Sequence, residues 1–228
     1  MRAGRGERAL REIQAVKNVS FDLPRGRVLG IIGNNGAGKS TIIRAIAGIL
    51  PPTKGRIEIR GRASALLALG VGFNPQLTGY ENVILGGLAA GFTRAEVEAK
   101  MDDIAAWTEL GDFMELSCDT YSSGMFQRLA FAVAVHMEPD ILLVDEALSA
   151  GDARFKEKAF AKMQELLEQA HTMVLVSHAL ETVETLCTDA IWLEQGVLMK
   201  MGTPNEVIEA YANRNNIDTQ SATAREDV

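Results

Sequence analysis

A chain of 228 residues, 47% apolar and 23% charged, has the makeup of a globular protein able to bury a sizeable core. Its net charge of −7 argues against general nucleic-acid binding, which shows as a basic face; Arg2, Arg5, Arg8 and Arg11 make only a solvated arm with Glu7 and Glu12 among them. Two cysteines, Cys118 and Cys187, exclude a disulfide framework or a zinc-ligand pair and suit a reducing cytoplasm, and no stretch approaches the ~18 apolar residues that span a membrane.

Along the chain, Val28 to Ile32 is a short apolar run feeding a glycine-rich loop. The following KSTIIRAIAGIL predicts a helix stopped by Pro51 and Pro52. GRIEIRG, residues 55–61, alternates as a strand does, with turn-forming glycines at both ends. From Thr93 to Met114 the pattern becomes helical and charged, with Thr93 as N-cap and Glu96 as its capping-box partner. A second helix is expected from about Met125 to His136, entered through the small residues of YSSGM, 121–125. ILLVDE (141–146) and TMVLVS (172–177) read as buried strands, with FKEKAFAKMQELLEQA between them a helix. Strands that alternate with helices and are apolar throughout imply an α/β fold, a parallel sheet covered on both faces. The boundaries expected are 1–215 for the folded domain and 216–228 for a loose polar tail.

GNNGAGKST matches G-x-x-x-x-G-K-[ST] between a predicted strand and a predicted helix, the context a phosphate-binding loop requires. Gly33, Asn34, Asn35, Gly36, Ala37 and Gly38 would curl the backbone so that successive N–H groups face one concavity at a helix N-terminus. Lys39 would bridge phosphates, and Ser40, with Thr41 beside it, would offer a hydroxyl to Mg²⁺. The plainer alternative, a glycine-rich turn with an incidental lysine, does not account for the whole motif in that context. Asp145 ends an apolar strand, where its carboxylate can hold the metal through water. Glu146 is placed to polarise the attacking water as a general base. His178 also lies at the carboxyl end of a strand, where α/β sheets place ligand-binding groups.

Order and spacing then discriminate among phosphate-loop proteins. Phosphate loop, Gln76, YSSGM, LLVDE, SAGD and VSH form a succession that resembles the ATP-binding cassette (ABC) ATPases, from about Ala15 to Tyr211. The resemblance implies a mostly parallel sheet with an antiparallel β portion and a helical subdomain at about 78–137. It implies ATP and Mg²⁺ as ligands, with Gln76 sensing the metal alongside Ser40 and Asp145, and His178 contacting the γ-phosphate. Ser149 to Asp152 look like the D-loop. Ser122, Ser123 and Gly124 look like the signature that caps the γ-phosphate held by the other protomer, although Ser123 stands for the usual glycine and Met125 for the usual glutamine.

On this resemblance the chain works as a homodimer with ATP at its interface, on integral membrane permease subunits, at the cytoplasmic face of the inner membrane. Phe73, Leu77, Tyr80 and Leu85 would line the apolar groove for the permease. YSSGM, LALGVGFNPQLTGYENV and GDARFKEKAFAKM further resemble the branch that exports bacterial O-antigen, capsule or teichoic-acid chains. Members of that branch often carry an appended carbohydrate-binding domain; the sequence stops at Val228 without one, so recognition of the glycan end is not expected from it. Phe21 is the one aromatic residue ahead of Gly33 and is expected in the core rather than under adenine. A DNA-repair ABC ATPase would interrupt the cassette with a long coiled coil, whereas about 80 residues separate Lys39 from Ser122. A translation factor would usually carry two cassettes, and a GTPase would need an N-K-x-D that is missing.

Overall fold

The computed structural model of the chain describes residues 14–65, 72–145, 153–169 and 171–214. The five apolar residues Val28–Ile32 form β1, wholly buried. Ile141–Asp145 forms β3 and Thr172–Val176 forms β4, with Ala63–Ala65 as a short β2. Asp189–Glu194 (β5) and Val197–Gly202 (β6) complete a six-stranded sheet of order β2-β3-β4-β1-β5-β6. Every neighbouring pair is parallel except β5–β6, a hairpin that supplies the antiparallel portion.

Alternation along the central strands divides the core into two layers. Val28, Ile32, Leu142, Val144 and Leu175 face one cluster with Phe131, Phe155, Met163 and Val183. Leu29, Ile31, Leu143, Val174 and Val176 face the other with Ile42 and Ile43. The second layer is closed by helix α1 (Lys39–Ile46). The first is closed by α5 (Ser123–His136), α6 (Ala153–Glu168), α7 (Leu180–Leu186) and a terminal helix over 204–214. Phe21 packs against the α1-side cluster, as a core residue should.

Between β2 and α5 the chain builds a third cluster of its own around Val83, Val97, Ile104, Met114, Leu129 and Val133. Its helices are α2 (Gly79–Ala89), α3 (Arg94–Ala99) and α4 (Met101–Thr108), with short 3₁₀ turns at Gly111–Glu115 and Cys118–Thr120. The Thr93–Glu96 capping box is present, and α2 opens on a second one, Thr78–Glu81. The stretch from Thr93 to Met114 is therefore two helices and a 3₁₀ turn rather than one continuous pattern.

Two other expectations change. GRIEIRG forms no strand: residues 56–60 are irregular, and Ile57 and Ile59 stay exposed. Alternation gives a segment two unlike faces but not a neighbour with free hydrogen-bonding groups. Helix α1 ends at Ile46, four residues short of Leu50, because Gly48 takes a positive φ and the N–H groups of Ile49 and Leu50 turn back to Arg44 O.

Candidate functional site

The phosphate loop leaves β1 at Gly33 and ends where α1 begins at Lys39. Gly33 adopts φ 147°, and a Cβ there would run into the Leu193 carbonyl oxygen of β5. Only glycine lets the chain turn so close to the neighbouring strand. Gly36 adopts φ 78° with nothing within 4 Å of its missing Cβ, so one rim of the loop is open. Gly38, at φ 102°, is the N-cap of α1 and brings no side chain to its first turn. No capping side chain therefore competes with an anion at the start of this helix.

Lys39 is buried, and its ammonium donates to Gly33 O at 2.8 Å and to Asn34 O at 3.1 Å. The cation is held inside the loop by two of the loop's own carbonyls. Ser40 and Thr41 follow in the first turn of α1, partly buried.

Strand register brings the other candidates to the same end of the sheet. Ile31 pairs with Val176, and Val176 pairs with Asp145. Gly33 lies two residues beyond the first member of that row and His178 two beyond the second, while Asp145 is the third. All three stand at the carboxyl ends of adjacent parallel strands, the crevice in which such sheets bind ligands. His178 is exposed on a turn in which Ala179 N donates to Ser177 Oγ at 3.1 Å. Glu146 and the D-loop residues Ser149–Asp152 lie outside the described residues, as does the tail after 214.

Gln76 and the signature belong to the helical segment. Gln76 is exposed, and its Nε2 reaches Asp119 Oδ2 at 3.5 Å. Ser117 Oγ and Asp119 N both donate to Pro75 O at 2.8 Å, and Cys118 N donates to Leu77 O at 2.9 Å. The Gln76 loop is thereby zipped to the residues just ahead of Ser122. Ser122 is the N-cap of α5 and accepts from Met125 N at 3.2 Å. Beside it, a Cβ on Gly124 would meet only Ser122 Oγ, at 4.0 Å, and Ser123 is exposed. The start of α5 is therefore both capped and uncrowded.

Asn82 organises this region, and pattern reasoning passed over it. It is fully buried; its amide donates to Asn74 O, Leu77 O and Thr78 O at 2.9–3.1 Å, and its Oδ1 accepts from Asn74 N at 2.7 Å. A lone Asn inside an apolar helix pattern was the only sequence signal for it. Of the four residues expected to form a permease groove, Tyr80 is exposed, Leu77 and Leu85 are partly buried, and Phe73 is turned inward against Phe126 at 5.5 Å. Phe73 is core.

For a metal, the donors at hand are the Ser40 hydroxyl and the Asp145 carboxylate, hard oxygens suited to Mg²⁺. No group of three His, Cys, Asp or Glu side chains that could hold a metal occurs among the described residues.

A glycine-built anion loop between β1 and α1, with carboxylate and imidazole at the ends of the next two strands, defines a phosphate-loop nucleotide-binding protein. A profile of the ABC transporter family matches residues 16–149, and the chain belongs to that family. It is 49% identical over 210 residues to the O-antigen export system ATP-binding protein RfbB of Myxococcus xanthus, covering 91% of this chain and 48% of the relative. It is 45% identical over 197 residues to the teichoic acids export ATP-binding protein TagH of Bacillus anthracis, covering 86% and 36%. The chain thus spans about half or less of these curated relatives. A Klebsiella pneumoniae RfbB is 39% identical, with 88% of this chain and 82% of that one covered. Among solved structures, an ATP-binding subunit of an ABC transporter superposes with TM-score 0.77 at 26% identity, covering 87% of both chains. The ATP-binding cassette MJ0796, a dimer in a post-hydrolysis state bound to ADP and Pi, superposes with TM-score 0.72 at 25% identity, covering 84% and 91%.

Proposed function

We propose that this chain is the ATP-hydrolysing subunit of an exporter that moves a lipid-linked cell-surface polysaccharide across the inner membrane. The observation that carries the cargo is its similarity, over 86–91% of its length, to export ATP-binding proteins named for two different surface polymers, O-antigen and teichoic acids. The observation that carries the chemistry is the open anion loop beside Asp145 and His178. A second reading keeps the engine and changes the cargo: the ABC transporter protein AbcA of Aeromonas salmonicida is 40% identical over 87% of this chain, and its name specifies no substrate.

In this reading the N–H groups of Gly33–Thr41 and the Lys39 ammonium hold the ATP phosphates. Ser40 and Asp145, with Gln76, hold Mg²⁺, which neutralises charge on the phosphate oxygens when bound. Glu146 takes a proton from the attacking water, and His178 orients the γ-phosphate. Ser122, Ser123 and Gly124 serve the nucleotide of a second copy, with ATP at the interface of a homodimer. A dimer is how the related cassette MJ0796 was solved. Residues 1–215 act as one ATPase domain with 78–137 as its helical subdomain. No described helix is long and apolar enough to cross a membrane. We assign the chain a peripheral place on the cytoplasmic face, held by permease subunits that meet it around Tyr80.

Glu146→Gln tests the chemistry. It removes the base while keeping size and hydrogen bonding, so ATP binding should persist while turnover falls by about 10²–10⁴. Hydrolysis at half the parental rate or better would show that Glu146 is not the base. The cargo is tested by a deletion strain. Normal surface polysaccharide, without intracellular lipid-linked chains and without a redundant exporter, would sink the cargo assignment and leave the ATPase standing.

A further inference from the structure

The phosphate loop is braced by parts of the chain remote from its motif. Behind it, Gly196 N in the β5–β6 turn donates to Ala37 O at 2.9 Å. From the terminal helix a side chain reaches it: the Tyr211 hydroxyl donates to Asn34 Oδ1 at 2.7 Å. The phenol ring is itself fixed, edge-on to Trp192 with centroids 5.8 Å apart at 72°. Trp192 pairs with Ile32, the residue immediately ahead of the loop. Asn34, at the other end of the bond, is the residue whose main-chain oxygen accepts Lys39 Nζ at 3.1 Å and Ala37 N at 3.1 Å.

We propose that Tyr211 is a positioning residue for nucleotide binding, pinning the phosphate loop in its curled form through Asn34 and making the terminal helix a lever on that loop. The inference rests on the reading of Gly33–Thr41 as the ATP phosphate site. Tyr211 acts through Asn34, the loop residue that it bonds. Asn34 is exposed, so without a tether its side chain has conformations to lose when a ligand arrives. A phenol held by Trp192 removes that freedom beforehand, so less ordering accompanies binding. The consequence is an effect on affinity and not on the step that follows it. Any movement of the 204–214 helix on Trp192 is likewise carried to Asn34.

The test uses the whole purified chain. ATP affinity is measured by calorimetry, together with KM and kcat, for the parent, Tyr211→Phe, Asn34→Ala and the double variant. Tyr211→Phe keeps the ring on Trp192, so the melting temperature should stay within about 2 °C of the parent. The lost hydrogen bond should raise Kd and KM about three- to tenfold, with kcat within about twofold. In an Asn34→Ala background the same change should add nothing further, because the bond is already gone. Unchanged ATP affinity in Tyr211→Phe, with or without a lowered melting temperature, overturns the proposal. So does an equal penalty in the Asn34→Ala background, which would place the tyrosine's effect elsewhere. Lys39→Ala separates this inference from the reading beneath it. If that variant binds ATP as tightly as the parent, the phosphate-site reading falls and the proposal with it. If Lys39→Ala loses binding and Tyr211→Phe does not, only the role of Tyr211 falls.

Discussion

At the scale of single residues, Gly33 and Gly36 of the loop hold their positions for different reasons. At Gly33 both the backbone angle and the Leu193 carbonyl oppose a side chain, and the opposing atom belongs to β5 and cannot swing away. At Gly36 only the angle opposes it. Gly36→Ala should cost roughly 1–2 kcal/mol, the penalty of a left-handed conformation. Gly33→Ala should cost more than about 3 kcal/mol, since strain and a backbone clash add. Urea unfolding of the two variants measures this; equal losses would mean that β5 yields and does not wall the loop. The motif itself was plain in the sequence, since glycine spacing and the lysine are local facts. Tyr211 and Asn82 were not, because their worth comes from partners that only the fold assembles: Asn34, 177 positions away, and the loop carbonyls around residue 77.

Elements show the same division between local and assembled information. Capping boxes are written within four residues, so Thr93–Glu96 was legible ahead of the structure, whereas the strand expected at GRIEIRG needed a neighbour that the fold does not give it. Glu96 is doing two things at once: it closes its box and pairs with Arg62 at 2.9 Å, and this contact above all, with the Thr93 bonds, holds its pKa at about 2. Helix α5 carries a different device at its far end. His136 is buried there, its Nδ1 2.9 Å from Ala132 O and its ring edge-on to Trp107 of α4 at 5.6 Å. Burial, foremost, holds its pKa below the ordinary 6.5; Lys162 and Lys100 push the same way, against the Ala132 carbonyl and Asp103. The native state therefore keeps His136 neutral while the unfolded chain takes up a proton at its ordinary value. Its contribution is complete above about pH 6.5 and is lost as pH falls from there through the depressed folded value, by up to about 1.4 kcal/mol per pH unit. Unfolding free energies should thus decline as the pH falls below about 6.5, and His136→Gln should flatten the decline. Equal slopes in parent and variant would remove His136 from the account.

At the scale of the molecule, the question is how two clusters of candidate residues on one chain come to share a reaction. The phosphate loop, Asp145 and His178 stand at the carboxyl end of the sheet, while the Gln76 loop is bonded to residues 117–119, just ahead of Ser122–Gly124, within the helical segment. The α/β sheet was legible because buried strands are short apolar runs, but which chain Ser122 serves is a property of an assembly and no pattern within one chain encodes it. A mixed dimer decides the matter. Let one chain carry Lys39→Ala and its partner Ser122→Arg, with separate tags so that only the heterodimer is purified. If the signature acts on the partner's nucleotide, one site collects both defects and the other is complete, so hydrolysis should persist although each homodimer is dead. If it acts within its own chain, each site has one defect and hydrolysis should vanish. The converse pairing, a doubly substituted chain with an unaltered one, reverses both expectations. In trans each site is then damaged once and the dimer should be inactive; in cis one site stays whole. Activity in the converse pairing alone would overturn the shared-site arrangement. It would return the start of α5 to the role its geometry already shows, a serine-capped helix end with Ser122 accepting from Met125 N.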